Sequence, residues 1–213
     1  MKKKICFVGL DAYPVLNPAA NNHYFGGESV QHTLLAKAFR DIGYDVSLLS
    51  LDYGQPDVEE IEDITVYKTF AEGDGLPVLR FMYPKLTSII AALKKADADV
   101  YFQSCAGMLT GVVAWFCQKY NRKFIFRLAH DNDCIPSQLI IPNWRDKKLY
   151  EYGLTRTDLI SAQGTRQYDL MKKNYEIDST PINMTVQLPE RQGQKKDIDI
   201  LWVNNIRQFK RPE

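Results

Sequence analysis

The strongest constraint on this chain is an alternation, kept up along its length, of short apolar runs with longer segments at helical spacing. "KICFVG" (4–9) follows a basic start and reads as a buried strand. Residues 28–42 place Val30, Leu34, Leu35, Ala38, Phe39 and Ile42 on one helical face, and Gly43 suits the position just past the helix end. "YDVSLLSL" (44–51) is the second strand and completes a βαβ unit. "ITVYKTF" (64–70) alternates and suits a strand at a sheet edge. A helix is expected over 80–96, then the strand "VYFQS" (100–104). "GMLTGVVAWFCQKY" (107–120) is apolar nearly all round, which predicts a deeply packed helix. "KFIFRLA" (123–129) and "DLISAQ" (158–163) are further strands, separated by a helix over 142–155. Thr165 is placed to cap one more helix ending near Tyr175, and "INMTV" (182–186) reads as a last strand.

Strands alternating with helices require a mostly parallel sheet with helices on both faces, an α/β fold of Rossmann-like type. One such domain is expected over 1–187. "LPERQGQKKD" (188–197) is polar and reads as a linker. "IDILWVNNIRQFKRPE" (198–213) then opens a fresh strand and a basic loop, expected to be the start of a truncated second domain, because a lone parallel strand cannot bury both faces.

The 45% apolar content is ordinary for a globular protein with a real core. A net charge of +1, from 27 basic and 26 acidic side chains, argues against a nucleic-acid binder. Cys6, Cys105, Cys117 and Cys134 are scattered and form no C-x-x-C pair, so they read as reduced thiols of a cytoplasmic protein rather than a disulfide framework or a zinc site. No apolar run approaches the length of a membrane span.

Ligands of such sheets bind beyond the carboxyl ends of the strands. The first strand is followed there by a long loop that runs to Gly26 and Gly27, and loops of that length are usually functional. The glycine pair has two readings. Either the bare backbone lets a ligand approach a helix N-terminus, or the glycines make a tight turn and Glu28 satisfies the helix dipole by itself. The dinucleotide fingerprint and the Walker loop are both absent, which leaves a nicotinamide-linked dehydrogenase poorly supported. His130, in "RLAHDNDCIPS" (127–137), falls just past a strand end; Asp131 and Asp133 beside it could orient the imidazole or bind sugar hydroxyls, or simply cap a turn. Arg207 and Lys210, in "NNIRQFKRP" (204–212), could neutralise a diphosphate, or could belong to a solvated basic loop. His23 lies in the long loop as a candidate pocket residue, and His32 falls within the first helix as a structural one.

Taken in order, four segments give the chain a resemblance to the N-terminal half of a family-four glycosyltransferase of the GT-B type. They are "FGGESVQHTLLAKAFRDIGYDVSLLS", "FIFRLAHD", "RTDLISAQGTRQYDLMKKNY" and "DILWVNNIRQFKRPE". The resemblance covers essentially the whole chain. It implies that Gly26 and Gly27 meet the donor diphosphate or the acceptor, that His130 is catalytic and contacts the donor sugar, and that Lys210 belongs to the basic pair stabilising the departing diphosphate. The family arginine aligns with Asn205, and Arg207 stands two residues later. It also implies retention at the anomeric carbon, a nucleotide-diphosphate sugar as substrate, no obligatory metal or cofactor, and a glycan or lipid-linked acceptor. On this expectation the fragment is inactive without its C-terminal domain. The alternative is a non-catalytic Rossmann-like module that binds a nucleotide or glycan. "LRFMYPKLTSIIAALKK" mixes aromatic, aliphatic and basic residues; it reads either as a helix packed on the sheet or as a weak peripheral contact with the inner face of a membrane.

Overall fold

The computed structural model describes residues 2–20, 26–75 and 81–186. Its elements follow in chain order as β1 (Lys4–Val8), α1 (Tyr13–Leu16), α2 (Gly27–Asp41), β2 (Asp45–Ser50), β3 (Val58–Ile61) and β4 (Ile64–Lys68). Next come α3 (Thr87–Ala96), β5 (Val100–Ser104), α4 (Met108–Lys119) and β6 (Lys123–Arg127). The described part ends with α5 (Trp144–Leu154), β7 (Leu159–Ala162), α6 (Thr165–Tyr175) and β8 (Thr180–Pro181). The proposed linker and second-domain start fall outside the described residues.

The strands form one sheet in the order β3-β4-β2-β1-β5-β6-β7-β8. Every neighbouring pair is parallel except β3–β4. The fold is therefore α/β and Rossmann-like, as the alternation predicts. Right-handed crossovers that change direction along the sheet must place their helices on opposite faces. Alternation within the strands shows this directly. Cys6, Val8, Phe124 and Phe126 join a core with residues of α3, α4, α5 and α6. Ile5 and Phe7 join the other, with Tyr13 and Leu16 of α1 and Ala36 of α2.

Several details depart from the sequence expectation; the buried side chains of α2, for example, are Ser29, Gln31, His32, Thr33 and Ala36, while Ile42 of the expected face is exposed. First, β4 is not an edge strand, because the hairpin partner β3 lies outside it. The turn between them carries Glu62 and Asp63 at positive φ (49° and 58°), a conformation usually taken by glycine or asparagine. Side chains of α2 hold it in place: Lys37 Nζ lies 2.9 Å from the Glu62 carboxylate, and Arg40 Nη1 donates to the Glu62 carbonyl at 2.8 Å. Second, the helix expected over 80–96 begins only at Thr87, after an irregular turn Phe81–Leu86 in which Tyr83 is extended (φ −131°, ψ 126°). Third, 182–186 is not a strand. The last bond to the sheet is from the Ile182 N–H to the Ala162 carbonyl at the end of β7 (2.7 Å), and Gln31 of α2 takes over beyond it: its Nε2 donates to the Thr185 carbonyl (2.7 Å) and its Oε1 accepts the Thr185 N–H (3.1 Å). Fourth, Thr165 is the first residue of α6 rather than its cap; Gly164 occupies that place.

Candidate functional site at the carboxyl edge of the sheet

Helices that follow parallel strands begin at the carboxyl edge, so the N-terminus of α2 and the segment after β6 share one end of the sheet. Gly26 is the extended residue that precedes α2 (φ −92°, ψ 171°) and Gly27 opens the helix. A Cβ added to either would meet nothing within 4 Å. Neither position needs glycine for a left-handed turn or for packing against the described residues. What the pair does provide is uncovered backbone at a helix N-terminus.

Behind the glycines lies a polar cluster set by α2, β5 and β6. Arg127 ends β6 on the α2 side of the sheet and is buried. Its Nη2 has no hydrogen-bond partner among the described residues. Burial lowers its pKa, while Cys105 and Glu28 act in the opposite sense. Glu28, in the first turn of α2, keeps 32% of its side-chain surface accessible. Its carboxyl is nonetheless pushed up to about 7, chiefly by burial, with Asp11 and Asp133 adding to the rise and Cys105 and Arg127 opposing it. His32, one turn further along α2, is buried edge-on to Phe102, with 5.7 Å between ring centroids. Gly9 makes room for the imidazole, since a Cβ there would fall 2.9 Å from the ring. Burial, aided by the Arg127 charge, pushes His32 down to about 4. His32 is therefore a neutral structural ring, in line with its sequence reading.

His130 is exposed and leads into a tight turn, Asp131–Cys134. It lines a polar hollow of about 330 Å³ with Asp131, Asn132, Ile140, Gln163 and Gln167. The hollow's floor is tied together by amides: Gln163 Nε2 donates to the Leu128 carbonyl (2.8 Å), and Gln167 Oε1 accepts the Gln163 N–H (2.8 Å). The two acids beside His130 part company. Asp131 faces outward and pairs with Arg166 at 2.8 Å. Asp133 is buried, and its Oδ2 accepts the N–H groups of Ala129 (2.9 Å) and His130 (3.0 Å). Asp133 thus shapes the loop and does not line the hollow. His23, Arg207 and Lys210 lie outside the described residues.

The glycine pair and His130 share the carboxyl edge of the sheet, but neither Gly26 nor Gly27 lines the hollow that His130 lines. Sequence reasoning passed over Glu28, Arg127, Gln163 and Gln167 as site residues. A signal existed for Arg127, a charge inside an otherwise apolar strand. Among the described residues no group of three or more His, Cys, Asp or Glu side chains is placed to hold a metal ion. None of their helices is long and apolar enough to cross a membrane. What the hollow offers a ligand is imidazole, amides and a carboxylate at its rim, groups that suit a polyhydroxylated molecule.

The cluster gives a pH dependence whose sign can be worked out. Glu28 binds its proton more tightly folded than unfolded, so its contribution to stability falls as pH rises from the ordinary 4.5 through about 7. His32 does the reverse: its contribution grows as pH rises from about 4 through 6.5. Glu28→Gln is therefore expected to gain on the parent protein between pH 5 and pH 8, by about 1–2 kcal/mol after discounting for its partial exposure. Urea titrations at the two pH values measure this, and a pH-independent difference would contradict it.

No protein-family model matches this chain, and no curated protein matches it either.

Proposed function

We propose that the chain is the acceptor-side lobe of a retaining glycosyltransferase of the GT-B type. On this reading the enzyme moves a sugar from a nucleotide-diphosphate donor to a glycan or lipid-linked acceptor. The observation that supports it most is the shared edge: bare helix N-terminal backbone at the start of α2, and an exposed histidine at a polar hollow beyond β6.

The chemistry follows from charge separation. Breaking the glycosidic bond leaves positive charge on the sugar ring and negative charge on the departing diphosphate. Groups already aimed at those charges lower the barrier without reorganising during reaction. The α2 N-terminus would present N–H groups to an anionic or hydroxyl-bearing ligand. His130 would orient the sugar over the hollow, with the Gln163 and Gln167 amides holding the loop that carries it. Arg207 and Lys210 would supply cations to the diphosphate from the following lobe. The expected setting is cytoplasmic, where nucleotide sugars are the donors to be used.

Two measurements on the full-length protein test this reading. One of UDP, GDP or ADP should raise the thermal midpoint, because a ligand that binds only the folded state stabilises it. His130→Ala should lower that midpoint by no more than a few degrees without ligand, the loss of a turn cap, and cut sugar transfer at least 100-fold. Nucleotide binding with no transfer to any glycan or lipid acceptor would favour the non-catalytic binding module instead.

A further inference from the structure

A second hollow, of about 440 Å³, lies in the other helix layer, walled by Phe81, Leu86, Ile90, Val112, Trp115 and Leu149. Its volume is in the range of ligand pockets, and its walls are almost wholly apolar. Because α3, α4 and α5 all start at the carboxyl edge, Leu86, Val112 and Arg145 put one end of the hollow at the same edge of the sheet as the candidate site. Trp115 and Tyr152 carry it one to two turns deeper.

The surroundings are aromatic and cationic. Trp144, Tyr83 and Met82 are 79%, 71% and 56% exposed, and Trp115 shows part of its ring to solvent. Lys119 Nζ sits 4.9 Å from the Trp115 ring centre, and the Arg145 guanidinium lies 3.5 Å over Phe81. Arg145 is itself paired with Asp146 (2.8 Å), so the field comes from the helices as a set. Residues 81–96 carry Lys85, Lys94 and Lys95; α4 carries Lys119; α5 carries Arg145, Lys147 and Lys148. Only Asp146 and Glu151 oppose them, on a chain whose net charge is just +1. A symmetric pairing of two such faces would set like charges against one another. An anionic, chain-bearing partner meets both the apolar walls and the charge.

We propose that this hollow receives a hydrocarbon chain of an anionic lipid, with the α3–α4–α5 face resting on the bilayer that supplies it. The proposal goes beyond sugar transfer and does not need it.

The test uses Trp144→Phe with Trp202→Phe, which leaves Trp115 as the one indole of the chain. The protein is expected to sediment with phosphatidylglycerol vesicles and not with phosphatidylcholine vesicles. Mid-chain brominated phosphatidylglycerol should lower Trp115 fluorescence at least twofold. Ile90→Phe, which fills the hollow, should keep sedimentation and lose most of the quenching. Lys147→Glu with Lys148→Glu, a change at the helix surface, should weaken sedimentation about tenfold. Failure to sediment with phosphatidylglycerol would overturn the proposal. So would quenching that Ile90→Phe leaves unchanged, or sedimentation with no quenching at all. Nucleotide stabilisation of the same protein is read separately, so the transfer reading and the lipid site can fail independently.

Discussion

Gly111→Ala is expected to lower the thermal midpoint by about 10 °C. A Cβ at this position would lie 2.3 Å from the Leu149 carbonyl oxygen and 2.8 Å from its carbon. Both are backbone atoms of α5, so no side chain can swing aside. The contact is reciprocal, because a Cβ on Gly153 would fall 2.7 Å from the carbonyl of Thr110. α4 and α5 therefore cross with their backbones touching, and a single methyl must push them apart. Separation would loosen Val113, Phe116, Tyr150 and Leu154, all packed in the larger core. Overpacking costs ~1–3 kcal/mol where side chains can yield, and a clash against fixed backbone belongs above that range, at about 4 kcal/mol. The better helix propensity of alanine returns only ~1 kcal/mol. A net loss of about 3 kcal/mol corresponds to roughly 10 °C for a domain of this size. Gly107→Ala is the control, since a Cβ there meets nothing within 4 Å. If melts followed by circular dichroism shift equally for both variants, or for neither, the packing account is wrong.

Much of the fold was legible because buried parallel strands advertise themselves as apolar runs between helices. The last helix ends at Tyr175, where its spacing placed the end, although it starts one residue early, at Thr165 itself. What escaped was set by distant contacts. β3 is a half-exposed "VEEI", and its turn has no glycine to announce it; Lys37 and Arg40 of α2 hold Glu62 in place. Residues 182–186 carry a strand pattern, but after one bond from the Ile182 N–H to Ala162 the neighbouring strand has ended, and a glutamine amide on α2 captures Thr185 instead. Trp115 shows the limit of composition: α4 is apolar nearly all round, yet this ring faces outward over the apolar hollow. At the site, the position of His130 followed from where β6 had to end. The fates of Asp131 and Asp133 did not, because residue type alone cannot say which of two neighbouring carboxylates turns inward. Glu28 looked like a helix-dipole partner. Its raised pKa depends on burial and on Asp11 and Asp133, which come together only in the folded chain.

Asp133 carries the second large effect. Asp133→Ala is expected to cost about 2–4 kcal/mol, because the N–H groups of Ala129 and His130 both lose their acceptor and each such loss costs ~1–3 kcal/mol. The backbone here is held by more than one bond: the Tyr150 hydroxyl donates to the Asp133 carbonyl at 2.8 Å, and Asn174 donates to the Cys134 carbonyl at 2.9 Å. Those bonds survive the substitution, so the turn should loosen at its His130 end rather than unfold as a unit. Asp133→Asn separates hydrogen bonding from charge. One oxygen accepts both N–H groups in the parent protein, and an amide oxygen in that place can do the same. The amide also spares the burial that raises the Asp133 pKa, and it removes a negative neighbour from Glu28. Stability of the asparagine variant should therefore stay within about 1 kcal/mol of the parent at pH 7, with the alanine variant well below both. Urea unfolding gives the two differences, and amide exchange at Ala129 and His130 should speed up in the alanine variant alone. Equal destabilisation by alanine and asparagine would mean that the carboxylate charge, not the pair of hydrogen bonds, fixes His130 at the rim of the hollow.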